Sequence, residues 1–225
     1  MLRLLSSILL TIAAFSLPTP AAKRSQTSPW KRLNNPTVKH TAEKAFTLTA
    51  PPATDIWRPN VTANNFTAPY VYRVCKTPDF QRISVTINAN WKTRYDQGGI
   101  AIVWPGRKPW KWLKTGIEFE NGAPQLGTVA TYAFSDWSLS PVVPKKTTTA
   151  SFLVERNTTE LWAYNVVKGD RYPLREVTWA FLEDRGKKNA EMWVGVYAAK
   201  PMYTFNKRKP AQNLTVEFKN LRIEC

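Results

Sequence analysis

The sequence predicts an all-β chain, folded as an antiparallel sandwich or barrel. Three observations carry this. Short runs alternate polar and apolar residues with period two, which sends one face of a strand to a core and the other outward. Turn-forming residues such as Asn121-Gly122, Gly169-Asp170 and Arg185-Gly186 punctuate the runs. Beyond the first 22 residues, no stretch sustains the 3.6-residue period of an amphipathic helix.

Residues 1–22 read as a secretory signal. Arg3 supplies the positive end, Leu4 to Leu17 the apolar segment, and Thr19 and Ala21 the small residues before a cleavage point. That run is short for a bilayer span, and no later run is longer, so no membrane span is expected after cleavage. Residues 23–54 read as a basic tail or linker. Lys23, Arg24, Lys31, Arg32, Lys39 and Lys44 stand against Glu43 alone, among many Thr, Pro, Ser and Asn. Such a segment buries little and is expected to be disordered. The domain is then expected over 55–225, opening near Asp55-Ile56-Trp57-Arg58. Its strands are expected at Tyr70–Lys76, Arg82–Ala89, Gly99–Trp104, Trp112–Phe119, Thr128–Phe134, Ala150–Glu155, Glu160–Val166, Glu176–Leu182, Met192–Ala198 and Leu214–Glu224.

Composition excludes several chemistries. One His, His40, rules out most zinc sites, His-based triads and haem ligation within one chain. Two Cys make neither a disulfide-rich scaffold nor a four-thiolate site. No metal and no cofactor is expected. In an oxidising compartment, Cys75 and Cys225 are expected to pair, because terminal strands of sandwiches often lie side by side. Four sequons, at Asn60, Asn65, Asn157 and Asn213, are the expected glycosylation sites.

Thirty-two Lys and Arg against 16 Asp and Glu give a net charge of +16. The cations cluster at Arg107, Lys108, Lys111 and Lys114, at Lys145-Lys146, at Lys187-Lys188 and at Lys207-Arg208-Lys209. Such a field attracts polyanions without a shaped site. No specific nucleic-acid motif accompanies it.

On the strand that starts at Trp112, alternation places Leu113, Thr115, Ile117 and Phe119 on one face. Lys114, Gly116, Glu118 and Glu120 share the other, expected to meet solvent or a groove. Glu118 and Glu120 lie about 6.8 Å apart at Cα on an extended strand, a spacing glycosidase carboxylates tolerate. Solvent-facing acids on a strand are the commoner explanation. Ser135-Asp136-Trp137-Ser138 is expected as a polar turn after a strand, with Asp136 capping it.

Tyr95-Asp96-Gln97-Gly98-Gly99 begins a series of blocks in a familiar order. It continues through Trp112–Phe119, Asn121-Gly122, Ser135–Ser138, Pro173-Leu174-Arg175-Glu176-Val177-Thr178-Trp179 and Trp193-Val194-Gly195-Val196-Tyr197-Ala198-Ala199. The series resembles a family of unknown function in the concanavalin A-like lectin/glucanase superfamily, with YesU-like bacterial members and fungal members labelled regulators of enolase. The resemblance covers roughly residues 55–224. It implies a jelly-roll sandwich of two antiparallel sheets, one concave, and it carries no catalytic signature. The glucanase pattern Glu-x-Asp-x-x-Glu is missing.

The expected function is a secreted glycoprotein that binds carbohydrate on the concave sheet, with acidic polysaccharide the first class to try. Asp96, Gln97, Lys114, Glu118, Asp136, Trp137, Arg175 and Trp193 are the candidate ligand-binding residues, with Lys114 and Arg175 as cationic donors and Trp137 or Trp193 as a stacking surface. A glycoside hydrolase or polysaccharide lyase is the alternative, the lyase with Tyr197 or Tyr164 as base. A structural or host-interaction protein acting through its basic surface is the third.

Overall fold

The computed structural model describes residues 28–106, 108–145, 147–203 and 212–225. The expected signal sequence, Arg107, Lys146 and Lys207-Arg208-Lys209 lie outside them. The described residues form sixteen strands: β1 (Lys31–Leu33), β2 (Thr37–Ala42), β3 (Ala45–Ala50), β4 (Ile56–Trp57), β5 (Asn65–Phe66), β6 (Tyr70–Lys76), β7 (Arg82–Ala89), β8 (Gln97–Trp104), β9 (Lys111–Glu120), β10 (Ala123–Thr131), β11 (Ser135–Pro141), β12 (Thr149–Asn157), β13 (Glu160–Val167), β14 (Asp170–Val177), β15 (Glu191–Ala199) and β16 (Leu214–Glu224).

Two seven-stranded antiparallel sheets stack as the expected sandwich. The first runs β1-β6-β15-β8-β9-β10-β11 and the second β14-β13-β12-β7-β16-β3-β2. In β7, Ile83, Val85, Ile87 and Ala89 point into the core, while Arg82, Ser84, Thr86 and Asn88 point outward. Phe80, Ile102, Leu113, Ile117, Phe152 and Phe218 fill the space between the sheets. The β9–β10 hairpin turns at Asn121 (φ 53°) and Gly122 (φ 73°), the positive angles that favour Asn-Gly at a two-residue turn.

Every residue of β8 is buried, and so are eight of the ten in β9. The cause is a second core on the outer face of the first sheet, where Ile56, Phe66 and Ala68 close over Tyr70, Tyr72, Val103, Trp112 and Tyr197. The short β4–β5 hairpin is therefore a roof. Arg58 pins it. Its guanidinium donates to the carbonyls of Ala133 (2.7 Å), Trp110 (2.8 Å) and Tyr132 (2.8 Å), and stacks 4.6 Å over the Trp112 ring. Among the described residues nothing covers the outer face of the second sheet in this way, and there polar residues alternate as in ordinary antiparallel sheets.

Three sequence expectations change. Residues 28–54 are part of the sandwich rather than a tail: β1 pairs with β6, and β2 and β3 extend the second sheet beside β16. The alternating Ala45-Phe46-Thr47-Leu48-Thr49-Ala50 buries Leu48 and Ala50 completely, and the basic residues around it lie on exposed positions. The strand expected at Glu176–Leu182 instead spans Asp170–Val177 and ends in turns. It is an edge strand, which tolerates Pro173. Ser135–Ser138 is not a turn but the start of the edge strand β11.

Cys75 and Cys225 form a disulfide with Cα atoms 5.7 Å apart. Their strands are not neighbours, however. β6 lies in the first sheet and β16 in the second, so the bond staples one sheet to the other.

Candidate functional site

The roof leaves an opening over the outer face of the first sheet. Asp55 and Trp57 border it from the roof and Tyr95 from the loop before β8. Gln97, Lys114, Glu118, Val129 and Trp137 rise from the sheet, and the cavity holds about 170 Å³. Register explains the grouping. Lys114 pairs with Val129, Val129 with Trp137, and Gln97 with Glu118, so these side chains share one face. Between the Lys114 and Glu118 rows runs a row without side chains, Gly99, Gly116 and Gly127. A Cβ on Gly99 or Gly116 would strike the carbonyl of the facing strand, so the close strand approach here requires glycine.

The floor is a hydrogen-bonded cluster. The Lys114 ammonium donates to Gln97 Oε1 at 2.6 Å and lies 3.8 Å from Asp55 Oδ1. The buried Tyr197 hydroxyl donates to the same Gln97 oxygen at 3.3 Å, and Gln97 Nε2 faces Asp55 Oδ1 at 3.4 Å. Glu118 accepts a hydrogen bond from the Trp137 indole. Burial pushes the Glu118 carboxyl above its usual range; Lys114 pulls it down, Asp55 and Glu120 push it up, and the Trp137 bond opposes them. Burial likewise holds the Tyr197 hydroxyl well above its ordinary value, with the Glu118 and Asp55 charges adding to the rise.

The walls are aromatic. Trp137 meets Trp57 edge-on at 6.3 Å and Tyr95 edge-on at 6.3 Å. Tyr95 sits at φ 66°, a region bulky residues rarely adopt, and its amide donates to the Phe119 carbonyl at 2.7 Å. Arg94 stacks on Tyr95 from outside and pairs with Glu120 at 2.9 Å. The site thus offers rings for an apolar face, two carboxylates, an ammonium and an amide. Among the described residues no group of His, Cys, Asp and Glu could hold a metal ion.

Of the eight residues named from sequence, the cavity gathers Gln97, Lys114, Glu118 and Trp137. The Lys114–Glu118 face is buried beneath the roof, not open to solvent. Asp96 lies apart, in a buried ion pair with Lys200 at 2.9 Å, and its other carboxylate oxygen accepts from the Lys92 and Thr93 amides. Asp136 and Arg175 pair at 3.0 Å, and Arg175 also donates to Ser138; they clip the edge strands β11 and β14 together instead of meeting in the cavity. Trp193 stacks on Tyr72 and meets Trp110 edge-on within the second core. Of the lyase residues, Tyr197 reaches the floor, while Tyr164 stacks on Trp162 in the second sheet. Asp55, Trp57 and Tyr95 were missed as site residues. Tyr95 opens the first recognised block, but only the roof brings Asp55 and Trp57 to it.

Comparison with known proteins fits this architecture. A curated Emericella nidulans protein described as uncharacterized is 40% identical over 180 residues, covering 80% of this chain and 86% of that protein. A functionally unknown protein from Saccharomyces cerevisiae superposes with a TM-score of 0.67 at 21% identity, over 86% of this chain and 95% of that one. An alginate lyase from Pseudomonas aeruginosa superposes with a TM-score of 0.54 at 10% identity, over 83% and 85%. A GH43 protein from Bacillus licheniformis gives 0.55 at 15% identity, over 80% of this chain but 32% of that one. At these identities, the three structures show the fold alone. The description "Protein of unknown function (DUF1349)" covers residues 32–225, and the chain belongs to that family.

Proposed function

We propose that this protein is a secreted glycoprotein that binds carbohydrate in the cavity above Glu118, one sugar ring at a time. The observation that carries the reading is the pairing of three aromatic walls, Trp57, Tyr95 and Trp137, with a hydrogen-bonding floor of Gln97, Lys114 and Glu118. Sugars present flat C–H faces to rings and hydroxyls to such groups. A cavity near 170 Å³ matches the roughly 150 Å³ that holds one benzene-sized ring. An alginate lyase with the same fold, and a GH43 protein that carries this fold over 32% of its length, support the reading. Secretion and glycosylation draw support from the disulfide and from four sequon asparagines that are all exposed.

Net charge favours acidic polysaccharide, but the cavity itself does not. Asp55 and Glu118 face a ligand there, and among the described residues Lys114 is the one cation lining it. Neutral or amino sugars fit that charge better than uronates. A hydrolase is the second reading, favoured by the raised Glu118 carboxyl, suited to a general acid, with Asp55 on the same cavity.

Calorimetric titration with neutral, amino and acidic oligosaccharides tests both. Neutral or amino oligomers should bind, and Trp137→Ala should weaken them roughly ten-fold, a loss of about 1.4 kcal/mol. Cleavage that disappears in Glu118→Gln would establish the hydrolase. Absence of binding by all three classes would retire the carbohydrate reading.

A further inference from the structure

A larger cavity lies on the opposite side of the first sheet, between the edge strands of the two sheets. It holds about 400 Å³, within the roughly 300–1,000 Å³ of ligand sites. Val38, Phe46, Val71 and Leu221 form an apolar floor, and Trp30 one wall. Arg32, Lys44 and Arg222 line it beside a single acid, Glu43, with His40 nearby. Among the described residues, none of these three cations makes an ion pair.

The gap is built into the backbone. β2 shifts register between His40 and Ala42 where it pairs with β3, and β16 shifts between Lys219 and Arg222 where it pairs with β7. Asn220 takes φ 54°, and its amide donates to the Lys44 carbonyl at 3.0 Å, tying the β16 bulge to the turn between β2 and β3. Bulges re-aim side chains, and here they open space that edge residues would otherwise fill. Behind Trp30 stands Arg73, its guanidinium 4.6 Å from the ring centroid and its buried Nε without a hydrogen-bond partner among the described residues. The apolar space is thus surrounded by positive charge that no described acid neutralises in full.

We propose that this cleft binds a free medium-chain fatty acid, its alkyl chain on the Val38–Phe46–Val71–Leu221 floor and its carboxylate among Arg32, Lys44 and Arg222. Charge complementarity selects an anionic head over a neutral one. A half-open cleft between two sheets admits the alkyl chain of one free acid, whereas a bilayer would need a broad exposed apolar surface.

Titration calorimetry of the full chain with octanoate, decanoate, laurate and dodecanol tests this. Affinity should rise about three- to four-fold per added methylene, from about 0.8 kcal/mol per buried CH₂. Dodecanol should bind at least ten-fold more weakly than laurate. The doubly exposed pair Arg32→Glu with Arg222→Glu should weaken laurate more than ten-fold while leaving the urea midpoint unchanged. Glu118→Gln should leave laurate binding intact, which separates this cleft from the carbohydrate cavity. No heat with laurate at millimolar concentration would overturn the proposal. So would laurate binding that survives the double variant but is lost in Glu118→Gln. Self-association of the chain abolished by the double variant, with no laurate binding, would assign the cleft to a second copy instead.

Discussion

At the scale of single residues, Glu118 carries the sharpest consequence. Its proton is held more tightly in the folded chain, because burial disfavours the carboxylate more than Lys114 and Trp137 favour it. The folded chain therefore loses stability as pH rises from the unfolded carboxyl value through the raised folded one. Gln imitates the protonated form and cannot ionise. Relative to wild type, Glu118→Gln should thus gain stability between about pH 4 and about pH 7, the range that starts near the ordinary Glu value. Urea denaturation of both proteins at the two pH values measures the difference. A difference that is flat or reversed would mean that Lys114 outweighs burial. The same substitution should keep the fold and weaken sugar binding, since it changes the charge of the floor but not its shape.

At the scale of elements, the roof decides whether a site exists. The β4–β5 hairpin has two residues in each strand, too few to stand alone. Arg58 holds it by three carbonyls and a ring. Arg58→Ala strips charged hydrogen bonds worth about 1.5–3 kcal/mol each in net terms and leaves carbonyls unpaired; shared solvent access should limit the total to about 2–4 kcal/mol. Hydrogen exchange should show the amides of residues 55–68 opening, with those of β7 and β12 still protected. Uniform loss of protection would show that the roof and the sandwich unfold as one unit. The disulfide acts between elements of different sheets across a separation of 150 residues. Replacing both Cys75 and Cys225 with Ser should cost about 2–5 kcal/mol, with about 5 kcal/mol the limit of the chain-entropy account. The ladders of β16 with β7 and β3 remain in the variant, so it should still fold.

At the scale of the whole molecule, the +16 charge and the cavity above Glu118 act separately. The field of 32 cations draws any polyanion, and salt screens it over about 8 Å at physiological ionic strength. The cavity recognises rings and hydroxyls at short range. Retention on polygalacturonate should therefore fall steeply with salt and be indifferent to Trp137→Ala. Binding of neutral oligosaccharides should show the opposite pattern. If Trp137→Ala abolished polygalacturonate retention at low salt, the acidic polymer would be a ligand of the cavity after all.

Much of the fold was legible because strand alternation is a local property. β6 and β7 coincide with the runs read from sequence, and Asn121-Gly122 turns as its φ preferences require. The pairing of Cys75 with Cys225 followed from there being only two Cys. The face shared by Lys114, Gly116 and Glu118 was also fixed by period two. Whether that face met solvent, a groove or a second core was not a local matter. It depended on residues 55–68 folding back over the sheet, and on Arg58 finding carbonyls 52 to 75 positions away. Asp136 was read as a ligand acceptor and Arg175 as a ligand donor because charge is visible in a sequence and its partner is not. Residues 28–54 were read as a tail because cations and prolines dominate their composition, while the burial of Leu48 depends on β16 arriving from the far end of the chain. Sequence by itself determined which residues alternate, turn and pair as thiols. Tertiary structure alone decided what covers each face, because burial is set by contacts between segments that no local period encodes.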